Sequence, residues 1–100
     1  MTELRSKTVA LTEDGINQLP KNKTIVYKIK DKNGDNIYTA IAKRGKVISS
    51  LRDHLPIGGN PKAGGIKVQI HQKKTLASAM RAESKLINDD KPKYNHRKKL

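Results

Sequence analysis

The chain has 100 residues, 34% of them hydrophobic and none of them cysteine, which suits one compact core and excludes disulfides, thiolate zinc sites and a cysteine nucleophile. Twenty-two Lys and Arg against nine Asp and Glu leave a net charge of +13 at pH 7, an excess that attracts polyanions and makes nucleic acid the first partner to consider. No apolar run approaches the roughly 20 residues that span a bilayer, and the N-terminus lacks the apolar stretch of a signal peptide, so a soluble, cytoplasmic protein with no membrane partner is expected.

Residues 1–22 read as an N-terminal extension. Residues 8–11 have the look of a short extended piece, and Thr12 is placed to cap a brief helical turn that ends before Pro20, although Gly15 opposes it. From Thr24 to Lys30 the alternation is clean: Ile25, Tyr27 and Ile29 share one face, and Thr24, Val26, Lys28 and Lys30 the other. This is a strand. Asp31, Lys32, Asn33, Gly34 and Asp35 supply turn chemistry, and a second strand from Asn36 to Ala42 completes a hairpin with Tyr27 and Tyr38 near its centre.

Val47, Ile48, Leu51 and Leu55 recur at helical spacing over residues 46–55, and Pro56 ends the pattern. Residues 56–65 contain Gly58, Gly59, Pro61, Gly64 and Gly65 and read as a loop able to move over a ligand. Ile66, Val68 and Ile70 alternate with Lys67, Gln69 and His71 in a third strand, and Thr75 then caps a second helix. The predicted fold is a small α/β (α+β) domain over residues 23–97: a three-stranded, mainly antiparallel sheet flanked by helices, followed by a basic tail at residues 98–100.

In the last helix Leu76, Ala79, Met80, Leu86 and Ile87 form an apolar stripe with Glu83 in its middle. Desolvating an unpaired carboxylate costs several kcal/mol, so Glu83 requires a cation, a hydrogen-bond network or an open cleft beside it. His54, His71 and His96 fit no metal-ligand spacing, and charge at helix ends or in solvent is enough to account for His54 and His71.

Paired hairpin tyrosines, a carboxylate on a late helix and the string Lys91-Pro92-Lys93-Tyr94-Asn95 together resemble the GIY-YIG nuclease domain of the excision-repair incision subunit and of phage and intron homing endonucleases. Ile25-Val26-Tyr27 matches the family's Gly-Ile-Tyr, and Tyr38-Thr39-Ala40 its Tyr-Ile-Gly. Ala82-Glu83-Ser84-Lys85-Leu86-Ile87 and the Pro92-to-Asn95 string match its closing pattern. Two positions depart: Ile41 and Ile48 stand where the family carries a lysine and its catalytic arginine. Arg44 and Arg52 flank Ile48 at four residues, the spacing that shares one helix face, and are the candidates to replace the arginine.

The resemblance implies a DNA-binding endonuclease, with RNA as the other candidate substrate, that hydrolyses a phosphodiester with a single Mg²⁺ or Mn²⁺. Glu83 would hold that ion. Tyr27 would orient or deprotonate the attacking water, with cations nearby to favour a phenolate, and Tyr38 would be a second positioning phenol. Arg44 or Arg52 would grip phosphate oxygens, and Asn95 would fix the catalytic end without doing chemistry. Lys43, Lys46, Lys93, Arg97, Lys98 and Lys99 are the expected phosphate-contacting cations. A dimer or a partner protein is consistent with a domain too small for much sequence specificity. The rival readings are a catalytically degenerate nucleic-acid-binding relative and a small basic RNA- or ribosome-associated structural protein.

Overall fold

The computed structural model describes residues 6–55, 58–59, 62 and 64–95. Its frame is one sheet of four antiparallel strands in the order β1-β4-β2-β3: β1 (Ser6–Ala10), β2 (Thr24–Lys30), β3 (Asn36–Ala42) and β4 (Lys67–Lys73). The hairpin β2–β3 is the predicted one, with Tyr27 opposite Ala40 and Ile29 opposite Tyr38. Its turn is built as the sequence suggests. Asp31 Oδ1 accepts from the backbone N–H groups of Asn33 and Asp35 (2.9 and 3.0 Å), and Gly34 takes φ +86°, a conformation glycine adopts without a Cβ clash.

The fourth strand corrects the expected count of three. Segment 6–10, assigned by sequence to the extension, pairs along β4 from Ser6 opposite His71 to Ala10 opposite Lys67. Its apolar signal is weak because Val9 alone is buried in it; backbone pairing along the edge of β4 makes this strand. Thr12 then caps α1 (Glu13–Asn17), its hydroxyl accepting from the Gly15 N–H at 3.0 Å. Gly15 is required by a close approach, since a Cβ there would collide with the carbonyl oxygen of Ala10.

One sheet face carries Ile25, Tyr27, Ile29, Val68, Ile70 and Val9 into a core completed by Leu11, Ile16, Leu19, Val47, Leu51 and Leu55. Each fully buried aliphatic side chain contributes about 1.5–3 kcal/mol. The helix predicted for residues 46–55 is regular only over α2 (Val47–Arg52), and the chain then turns through Leu55. Gly45, at φ +85°, breaks the path before it, so Arg44 lies outside the helix and does not share a face with Arg52. Ile66, expected inside, precedes β4 and is 46% exposed.

The opposite sheet face is covered in part by α3 (Leu76–Asp90), capped by Thr75, whose hydroxyl accepts from the Ser78 N–H at 3.0 Å. Only small residues allow this helix to lie close, and Ala79 is its buried point, with Ala82, Glu83, Leu86 and Ile87 half-buried beside it. Met80, predicted on the inward stripe, is 54% exposed. Lys91 closes the helix in the left-handed conformation (φ 45°), where its N–H donates to the Ile87 carbonyl at 2.8 Å, and Pro92 prevents continuation. A 3-10 turn at Lys93–Asn95 follows. No helix of the described residues is long and apolar enough to cross a membrane.

Candidate active site

The antiparallel register brings the two hairpin tyrosines together. Tyr38 lies opposite Ile29, two residues along from Tyr27, so the phenols are diagonal neighbours on one face. Their ring centroids are 6.3 Å apart. Both meet His54, which α2 and its following turn deliver to the same spot: the imidazole lies 5.8 Å from the Tyr27 ring and 5.0 Å, edge-on, from that of Tyr38. Tyr27 Oη and His54 Nε2 share a buried hydrogen bond of 2.8 Å.

Burial pushes the Tyr27 phenol well above its ordinary value, and Tyr38, Asp53 and Glu83 raise it further. The phenolate expected from nearby cations is therefore disfavoured here. A protonated phenol donates to Nε2 when the imidazole carries its proton on Nδ1.

Next to Tyr38 the chain leaves a cavity of about 440 Å³, lined by Tyr38, Thr39, Lys62, Glu83, Ile87, Tyr94 and Asn95. Lys62, from the glycine-rich loop, holds its ammonium 4.3 Å over the Tyr38 ring and 5.5 Å from that of Tyr94, the geometry of a cation–π contact. The loop is tied down here by the Lys62 N–H, which donates to the His54 carbonyl at 3.3 Å. Desolvation holds the Lys62 ammonium below its usual range and the Glu83 carboxyl above its own. Both shifts have one cause, and a bound charge of either sign would relieve the group opposite to it. Among the described residues, Glu83 has no ion-pair partner within 4 Å.

Asn95 anchors the last wall of the cavity. Its Oδ1 accepts from the Thr39 N–H at 2.6 Å and its Nδ2 donates to the Thr39 carbonyl at 2.9 Å, so the side-chain amide pairs with the free edge of β3 as another strand would. Asn95→Ala leaves both backbone groups without this partner and is expected to cost about 1–3 kcal/mol, read as a lower denaturant midpoint at unchanged slope.

Of the residues singled out by sequence, Tyr27, Tyr38, Glu83 and Asn95 converge. The arginines do not join them. Arg52 Nε is 3.1 Å from Glu13 Oε1 on α1, Arg44 is exposed, and neither is among the described residues lining the cavity. Lys43 and Lys46 are exposed on the β3–α2 connection, and Lys93 stands 5.2 Å from the Tyr94 ring. Arg97, Lys98 and Lys99 lie outside the described residues.

Sequence reasoning missed His54, Lys62 and Tyr94 as members of the site. His54 had a legible signal, falling three and seven residues after Leu51 and Val47 on the same helical stripe that Leu55 extends, a place where a polar ring needs a partner. Lys62 had none, as a lone lysine in a loop.

Comparison with protein-family models, curated proteins and solved structures returned no match. The site's own geometry is what bears on its chemistry. Among the described residues no three His, Cys, Asp or Glu side chains form a cluster able to hold a metal ion, and Glu83 is the carboxylate on the cavity wall. A single carboxylate fits a hard ion that keeps several waters and takes its remaining ligands from a phosphate, the habit of Mg²⁺. It does not fit a caged Zn²⁺ or Ca²⁺.

Proposed function

We propose that the protein binds nucleic acid and hydrolyses a phosphodiester in the cavity beside Tyr38. The supporting observation is the convergence of two phenols, an imidazole, an ammonium and a desolvated carboxylate from four separate chain segments onto one wall-and-cavity site. Glu83 would hold a Mg²⁺ or Mn²⁺ ion, which when bound supplies charge neutralisation at the leaving oxygen. Tyr27 orients the attacking water. As the phenol accepts that water's proton it passes its own to His54 Nε2, so no free phenolate has to exist at neutral pH. Tyr38 packs the ring wall and positions the scissile group.

Lys62 takes the phosphate-holding role for which Arg44 and Arg52 were candidates. Its ammonium already sits at the cavity, whereas Arg52 is engaged by Glu13. Lys62→Ala is expected to lower kcat/KM about 10²-fold, the usual effect of deleting one charge-stabilising donor, while the denaturation midpoint barely moves. An Arg52→Ala variant that loses activity to the same degree, with Lys62→Ala unaffected, would return the role to the arginine.

The deciding experiment is nicking of supercoiled plasmid with Mg²⁺ or Mn²⁺, with and without chelator. Metal-dependent nicking is expected. Tight plasmid binding without nicking would instead identify a non-catalytic nucleic-acid-binding protein.

A further inference from the structure

The sheet face turned away from Tyr27 is only half covered by α3, and its open half is cationic. Register fixes its composition. Lys28, opposite Gln69, and Lys30, opposite Lys67, share this face with His71, opposite Val26, and Lys73, opposite Thr24. On the outer strand, Ser6 lies beside His71 and Thr8 beside Gln69. Between β4 and α3 an apolar groove of about 180 Å³, floored by Val26 and Leu86, is rimmed by His71, Lys73 and Lys85.

Two features distinguish this face from an ordinary solvated one. Lys30 and Lys67 stand directly opposite each other, and like charges in cross-strand register are destabilising. Among the described residues neither is paired with a carboxylate; the one contact on this face is Lys28 with Asp90, at 4.0 Å. The surrounding polar groups are Ser, Thr and Gln, the side chains that join Lys on phosphate oxygens. The three tyrosines of the chain all lie elsewhere, so no phenol ring is offered here for base stacking.

We propose that this open face is a second nucleic-acid contact surface, separate from the Tyr38 cavity, on which Lys30, Lys67 and Lys73 bind a phosphodiester backbone without reading sequence, while Lys28, 18% exposed and paired with Asp90, stays under α3. Neighbouring strands lie about 4.8 Å apart, so the directly opposed Lys30 and Lys67 meet one stretch of backbone from two strands while Lys73 reaches it further along β4. A nucleic acid bound here and in the cavity would be held on two sides of the domain. The surface does not depend on the cleavage chemistry, and its test is run without metal.

Duplex DNA and duplex RNA are titrated in chelator by fluorescence anisotropy over a series of salt concentrations, with wild type and with Lys30→Gln/Lys67→Gln. The double variant is expected to flatten the log–log salt slope by about 2 and to weaken binding about tenfold or more at 0.1 M salt, with its fold intact because the change removes a repulsion. The same titration followed by NMR reports on His71. Burial and then Lys28, Lys73 and Lys30 hold this imidazole below its usual range; Lys85, which rims the same groove, is paired with Asp89 at 3.2 Å, and Lys28 with Asp90 at 4.0 Å. A bound phosphate must raise the imidazole. An unchanged salt slope, a His71 titration unmoved by nucleic acid, or binding of neither duplex overturns the proposal. A protein that binds but does not nick removes the nuclease reading and leaves this surface standing.

Discussion

Glu83→Gln is expected to abolish metal-dependent cleavage and to leave the folded protein as stable as before, or more so. A divalent ion at a leaving oxygen supplies several kcal/mol of transition-state stabilisation, so removing its carboxylate should cost about a thousandfold or more in rate. Burial raises this carboxyl above its ordinary value. A group with a raised folded-state pKa contributes stability below its unfolded value and loses that contribution as pH rises through the folded one. Above that range the wild type carries the cost of a desolvated charge that Gln does not have. Denaturation midpoints near neutral pH should therefore be equal or higher for the variant, and Mn²⁺ calorimetry should detect binding to the wild type alone. A loss of about 3–5 kcal/mol would instead mark Glu83 as half of an ion pair and would remove the ion-binding role.

Tyr27→Phe is expected to reduce cleavage about 10²- to 10⁴-fold, the range for losing a positioned proton-transfer group. The hydroxyl is also half of a buried hydrogen bond with His54, so the fold should lose about 1–2 kcal/mol. The pH dependence separates the two effects. With the folded-state value raised above the ordinary one of 10.0, Tyr27 favours folding below pH 10, and this contribution is lost as pH rises above it, where the unfolded chain releases the proton and the folded one retains it. Wild type should lose stability between about pH 9.5 and 11, whereas Tyr27→Phe should lack this component. Parallel denaturation across that interval gives the difference free of the lysines, which both proteins share. Identical slopes would show that the phenol ionises in the folded protein, and the relay through His54 would then be unnecessary.

Different parts of the structure were legible for different physical reasons. The β2–β3 hairpin was readable because its alternation is driven by a buried face and its turn by Asp31 and Gly34, both local signals. β1 was read only as a short extended piece over residues 8–11 and not as a strand of the sheet, because one buried residue in five gives no period; its pairing depends on the unpaired edge of β4, which is a property of the tertiary structure. The helix bearing Glu83 was found, yet its rotation was off. Apolar spacing ranked Met80 as inward, but closeness to the sheet is set by Ala79 and Ala82, and a helix held by small residues turns its long Met outward. Glu83 stays on the inward side, where the spacing had put it.

The site was half visible. Tyr27, Tyr38, Glu83 and Asn95 belong to contiguous motifs, whereas the proposed replacement for the missing arginine required knowing where a glycine-rich loop lands. Arg52 illustrates the difficulty from the other side. Nothing local in the sequence reveals that α1, assigned to an extension, sets Glu13 against it.

The pairing of Asn95 with Thr39 has a consequence for how the molecule comes into being. Every other wall of the cavity is supplied by residues made earlier, so on a ribosome the hairpin, both core helices and most of α3 emerge while the outer edge of β3 is still bare. Until Asn95 arrives, that edge is an open template for another strand and the cavity has no floor beside Tyr94. The same amide that completes the site thus ends the interval in which a nascent chain could pair with its neighbours on a polysome.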